Sequence, residues 1–257
     1  MLQKLLILFS TPLLSGLLIY LVPKGKAATF KLLLVFAGAY LFSITVIHIL
    51  PEVYQQSPNF ELVGLFVLAG FFLQQLLEYF TSGIEHGHLH SHGHGHTHDH
   101  RPHQHETEKT MSALILLTAL CVHAFLEGGM LAQPADTKAV YDVDAVLLGI
   151  VLHRAPAAFA LMTVLTAQLH SKRKALPYLI GFSFAAPAGL LISTILADEQ
   201  ILSVNGLFYL YALVSGNFLH ISTTIVFESS PDHRFNGKKM AIAILGALTA
   251  VAVEHFR

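Results

Sequence analysis

Apolar residues fall in eight long runs separated by polar stretches, at about 4–22, 31–51, 60–80, 111–132, 145–168, 176–197, 206–228 and 238–256. Each run is close to the roughly 20 residues a helix needs to cross the hydrocarbon core of a bilayer. The period-2 alternation of barrel strands is absent, so helices, which satisfy their own backbone groups, are the predicted elements. The first run is long for a secretory signal, and no small-residue cleavage pattern follows it before Pro23. The pattern therefore predicts an all-α integral membrane protein, eight transmembrane helices in a single domain over residues 1–257.

The polar stretches predict orientation. Those after runs one, three, five and seven hold Lys24, Lys26, Lys31, Arg101, Lys109, Lys172, Arg173, Lys174, Arg234, Lys238 and Lys239, which is 11 of the 15 Lys and Arg residues. Those after runs two, four and six hold Lys138 alone, beside Glu52, Asp136, Asp142, Asp144, Asp198 and Glu199. Basic loops stay in the cytoplasm, so both termini are expected to be extracytoplasmic. One missed or spurious span would scramble this alternation.

Composition agrees. The chain is 54% hydrophobic and 12% charged with a mean hydropathy of +0.60, where a soluble domain carries about 25% charged residues. The cell membrane is the expected location. A formal net charge of -1 gives no sign of nucleic-acid binding, and a single cysteine, Cys121, cannot form an internal disulfide.

Histidine is the outlier, at 17 residues. Ten of them, His86, His88, His90, His92, His94, His96, His98, His100, His103 and His105, lie in the loop between helices three and four. This loop, residues 81–110, is expected to be disordered and cytoplasmic, because its Gly-rich polar composition cannot bury a core. It is internal and interleaved with other polar residues, unlike an expression tag. Neutral imidazoles bind zinc, copper and nickel, so the tract points to transition metals without saying what is done with them.

Ionisable residues inside the runs are expensive and mark candidate functional sites. The fourth run contains LTALCVHAFLEGGMLA, where His123 and Glu127, four apart, share one helix face. The fifth runs the opposite way and carries His153 about nine residues below its outer end, at a similar depth. Two imidazoles and a carboxylate from neighbouring helices suit a three-ligand zinc site with an open position. A hydrogen-bonded polar cluster that binds nothing is the alternative, which spacing leaves open. Cys121 falls on a different face from His123 and reads as packing.

At these residues the chain resembles the ZIP (Zrt-/Irt-like) family of divalent metal transporters. HAFLEGG at 123–129 looks like the family's HNxPEG signature and HRAPA at 153–157 like its HxxPE partner. AGAYLFSITVIHILPE at 37–52 is similar to the family's small-residue-rich helix ending in HxLPE. The resemblance covers the whole chain. It implies uptake of divalent transition metals into the cytoplasm, zinc first, then iron, manganese or cadmium, with the metal as cargo and no cofactor.

The family builds a binuclear centre, and this chain departs from it. Ala124 stands where Asn is usual, Arg154 where Asn or Asp is usual, and Ala157 where the second Glu is usual. Ala186 stands where many members carry another carboxylate. The resemblance then implies that His123, Glu127 and His153 remain as ligands for one metal, with the Arg154 guanidinium in or facing the position of the second.

A buried guanidinium does not deprotonate and needs an anion or a water-filled cavity. Glu127 is the acidic residue near mid-bilayer, so a pair with Arg154 is predicted, offsetting part of the desolvation cost and repelling an incoming dication. Snorkelling of Arg154 to a headgroup fits its depth poorly. Pro156 removes the N–H that the Leu152 carbonyl would accept, which predicts a bend in the fifth helix. Gly128 and Gly129 mark close packing or local flexibility.

Away from this centre, His48 and Glu52, again four apart, end the second run. His220 leads toward Glu228, Asp232 and His233, with Glu78 and Glu85 ending the third run. They are candidates for an entry and exit path, or solvated helix-end residues. The expected mechanism is alternating access around the central site, exchanging metal for protons. Neither GxxxxGK[ST] nor HExxH occurs, so ATP-driven pumping is not predicted and the chain is not read as an enzyme. An efflux carrier of the cation-diffusion type is set aside because the sequence stops within a few residues of run eight. An intramembrane zinc hydrolase using the same ligands and a non-transporting metal sensor plugged by Arg154 stay as competitors. Divalent metal ions and the lipid bilayer are the expected partners, and a homodimer is left open.

Overall fold

The computed structural model describes residues 1–21, 27–81, 102–133, 140–228 and 237–255. Among them every regular element is helical. In chain order these are α1 (Leu2–Leu17, tightening to a 3-10 turn at Leu18–Tyr20), α2 (Ala27–Ile44), α3 (Leu50–Gln56), α4 (Phe60–Thr81), α5 (Pro102–Met130), α6 (Val143–Leu169), α7 (Lys172–Asp198), α8 (Val204–Glu228) and α9 (Gly237–His255). A π turn at Thr45–Ile49 joins α2 to α3 without a break.

Six helical stretches are long and apolar enough to cross a membrane: Leu2–Tyr20, Leu32–Gln56, Phe60–Phe80, Ala113–Met130, Val143–Leu169 and Lys172–Asp198. The two remaining expected runs form α8 and α9. The first is diluted by Asn217, His220 and several hydroxyls, the second by Lys238, Lys239 and Glu254. The outer surface supports a lipid environment. α4 alone leaves Leu65, Leu68, Phe72 and Leu76 exposed, a contiguous apolar face that a water-soluble monomer rarely shows.

The histidines from His86 to His100 lie outside the described residues, as do Glu85, Asp232 and His233. α5 starts at Pro102, earlier than the apolar run alone predicts, so the positions of His103 and His105 belong to its first turns.

Helix ends are fixed locally. The Asp142 carboxylate caps α6 by accepting from the backbone N–H groups of Asp144 and Ala145 at 2.9 and 3.1 Å, satisfying donors that have no partner within the helix. His170 closes α6 in the left-handed conformation (φ 51°), and the Ser171 hydroxyl caps α7. Pro156 is accommodated within α6, and the Ser15 hydroxyl of α1 donates to the neighbouring Ala155 carbonyl.

Backbone-to-backbone crossings set the packing. α4 packs chiefly on α8, α5 on α7 and α2 on α9, while α6 lies against α1 and α2. The α5–α7 crossing is reciprocal: a β-carbon at Gly128 would strike the Ala186 carbonyl, and one at Gly189 would strike the Phe125 carbonyl. The α4–α8 crossing repeats this with Gly70 against Leu213 and Gly216 against Val67. Without a hydrophobic drive between helices in lipid, such close approach supplies dispersion contacts that larger residues would prevent. Gly128 is thus a close-packing residue.

Candidate metal centre

The centre is built from α5, α6 and α7. One turn of α5 separates His123 from Glu127, and adjacent positions of α6 supply His153 and Arg154. All four side chains are buried, at 3%, 1%, 2% and 2% exposure in that order. They sit on the seam between two apolar clusters. Ile150 and Ala186 belong to one, and Ala124, Ala158 and Phe182 to the other.

One ligand atom from each of His123, Glu127 and His153 lies within 4.8 Å of the others, the one such group of His, Cys, Asp or Glu among the described residues. His123 Nε2 is 3.1 Å from Glu127 Oε1. The two imidazoles meet edge to face, with centroids 6.1 Å apart. A tetrahedral zinc with bonds of 2.0–2.2 Å separates its ligand atoms by roughly 3.4 Å. The His123–Glu127 edge is near that spacing, and a small inward movement of the most distant atoms closes the rest.

Arg154 faces the same carboxylate from the other side. Its Nη1 donates to Glu127 Oε2 at 3.1 Å and its Nη2 to the Phe182 carbonyl at 3.4 Å. Its Cζ stands 4.8 Å from the centroid of the Phe182 ring. The guanidinium is therefore paired inside the bundle, which leaves no role for snorkelling. Ala124, Ala157 and Ala186, expected from the sequence to replace ligands of a second metal, are buried too and carry no ligand atom. Phe182 is the participant that sequence reasoning missed. It shares a face of α7 with Ala186, four residues further on.

Two tyrosines hold the end of α5. Tyr141 donates to the Met130 carbonyl and Tyr211 to that of Ala132, with the rings edge to face at 5.1 Å. The first satisfies a carbonyl that the helix end leaves without a helical partner, and the second ties down the chain two residues beyond it. Cys121 is half-buried against the apolar cluster around Leu120 and Ala158.

The outlying candidates have separate surroundings. His48 Nε2 accepts from the Asp142 backbone N–H at 2.7 Å, and its Nδ1 is 2.9 Å from Glu254 Oε1 of α9. Glu52 instead accepts from Gln56 Nε2 at 3.0 Å. Each thus has its own partners: His48 reaches the start of α6 and α9, and Glu52 a residue of its own helix. His220 Nε2 is 2.6 Å from Glu78 Oε2, linking α8 to α4, with Phe71 edge-on to its ring. Glu228 is the last residue of α8.

A bundle of apolar helices around a buried His–His–Glu group with a guanidinium on the carboxylate defines the class: an integral membrane protein whose interior offers ligands to a metal ion. Residues 82–254 match the family described as ZIP Zinc transporter, and the chain belongs to that family. It is 30% identical over 111 residues to Zinc transporter ZIP9 of Macaca fascicularis, covering 42% of this chain and 47% of that one. It is also 30% identical over 122 residues to Zinc transporter ZIP9 of Micropogonias undulatus, covering 46% and 39%. The chain thus spans less than half the length of these curated relatives.

Proposed function

We propose that this protein carries divalent transition-metal ions, zinc foremost, across a membrane into the cytoplasm through a single-metal site formed by His123, Glu127 and His153. The observation that carries this reading is the convergence of those three ligand types from α5 and α6, buried together in a member of the ZIP family. Eight spans with extracytoplasmic termini complete it, supported by the alternation of basic and acidic loops, with the cell membrane as location and the inward direction taken from the resemblance to the family. The imidazoles favour zinc-like ions over calcium or magnesium, and Glu127 supplies negative charge. Arg154 stands in for the second metal of the family's binuclear centre.

The test is uptake into proteoliposomes across a panel of zinc, cadmium, iron and manganese, comparing wild type with Glu127→Ala and the near-isosteric Glu127→Gln. Saturable zinc uptake that both substitutions abolish supports the reading. Uptake indifferent to Glu127 overturns the site, and tight binding without flux identifies a sensor instead.

A further inference from the structure

Glu127 has two claimants. Its Oε2 receives Arg154 Nη1 at 3.1 Å, while its Oε1 faces His123 Nε2 at the same distance. An ion held by His123, Glu127 and His153 draws on this carboxylate, so two cations would then share one buried anion within a few ångströms. The guanidinium cannot yield by losing its proton. It can yield only by moving.

A second seat is already within its reach. Nη2 touches the Phe182 carbonyl at 3.4 Å, and the Phe182 ring lies 4.8 Å from Cζ. A carbonyl dipole and the face of an aromatic ring both attract a guanidinium. Neither belongs to the three-ligand set, so occupying them leaves Glu127 to the metal. Arg154 also starts from α6, whereas Glu127 and Phe182 stand on α5 and α7, which are locked together through Gly128 and Gly189. The two seats therefore keep a fixed spacing.

We propose that Arg154 is a tethered competitor of the transported ion. It occupies Glu127 when the site is empty, is displaced onto Phe182 when the ion enters, and returns to Glu127 to hasten release. This rests on the metal-site reading above. Arg154 is here a positioning residue that sets how tightly and how long the ion is held. Competition of this kind lowers affinity and raises turnover together. A residue that merely braced the fold would, on removal, lower both binding and transport.

The test uses the full chain. Zinc affinity is measured by calorimetry in detergent, zinc release by stopped flow with a chelating dye, and uptake in proteoliposomes, for wild type, Arg154→Gln, Arg154→Lys and Phe182→Leu. Removing a cation beside the metal in a water-poor interior should tighten zinc binding by about tenfold or more. Arg154→Gln is expected to release zinc correspondingly more slowly, with KM and kcat falling together. Arg154→Lys keeps the charge and restores most of the wild-type release rate. Phe182→Leu removes the ring seat and weakens zinc binding several-fold, an effect that disappears when combined with Arg154→Gln.

A folded Arg154→Gln protein that binds zinc no more tightly than wild type overturns the proposal. Should that variant fail to fold, Phe182→Leu carries the test, and unchanged zinc affinity there overturns it equally. Wild-type protein whose zinc binding ignores Glu127 overturns the site itself, a different result from Glu127-dependent binding that Arg154→Gln fails to tighten.

Discussion

Arg154 and Glu127 are bonded at 3.1 Å with 2% and 1% of their side chains exposed, one rooted in α6 and the other in α5. Removing one partner of such a pair strands the other charge in an apolar interior, which costs about 3–5 kcal/mol, whereas replacing both by apolar residues is often neutral. Glu127→Leu should therefore unfold at a markedly lower temperature in detergent, and Glu127→Leu with Arg154→Leu should recover most of the loss. A double variant as unstable as the worse single one would mean that the pair does not account for the cost.

The position that Arg154 fills tests the number of metals. Arg154→Asp places a carboxylate where the resemblance to the family puts a ligand of a second metal, so in protein lacking residues 86–105 two equivalents of zinc should bind per chain, against one with Arg154 in place. Elemental analysis after equilibrium dialysis reads this directly. A stoichiometry still at one would count against the idea that the guanidinium replaces a metal.

The helix crossings predict unequal effects at two glycines. Gly128→Ala drives a methyl group into the Ala186 carbonyl, and overpacking of this kind costs about 1–3 kcal/mol. Gly181→Ala meets nothing within 4 Å and lies in the interior of α7, where alanine is the better helix former by about 1 kcal/mol. Thermal unfolding should shift down for the first and stay level or rise for the second. Equal shifts would sink the assignment of Gly128 to close packing.

The Asp142 cap offers a test away from the metal centre. Asp142→Ala removes the acceptor for the Asp144 and Ala145 N–H groups and should cost about 1 kcal/mol. Zinc affinity should hardly change, since His153 lies three turns further along α6. A large loss of zinc binding at unchanged stability would show that the start of α6 is coupled to the site.

Deleting residues 86–105 separates the histidine tract from the buried site. The tightest zinc equivalent should survive and weaker equivalents should vanish in a calorimetric titration. If the tightest one disappears instead, the tract and not the helices holds it.

Much of this was legible in the residues. The helices follow from run length, because in lipid each backbone group needs an internal partner. His123 with Glu127 follows from a spacing of four. The Arg154–Glu127 pair follows from charge, since a buried guanidinium seeks whatever anion its depth allows. What failed to show was decided by chain geometry or by distant neighbours. The partners of His48 lie on α6 and α9, which no spacing within its own run reports, and the π turn at Thr45–Ile49 went unpredicted, although Pro51, which has no N–H for the Ile47 carbonyl, hinted at a disturbed ladder there. The start of α5 at Pro102 escaped notice because its first turns are polar. Phe182 acts through a backbone oxygen as well as its ring, and no pattern of residue types reports which carbonyl a neighbouring helix will present.

Gly128 against Ala186 and Gly189 against Phe125 leave α5 and α7 almost no room to slide on each other, while α6 keeps its main company with α1 and α2. The carboxylate and the aromatic ring therefore keep their spacing, while the arginine reaches them from a helix whose own glycine, Gly149, packs against α2 instead. The reach of that side chain sets how far α6 can draw away before the buried carboxylate loses its countercharge.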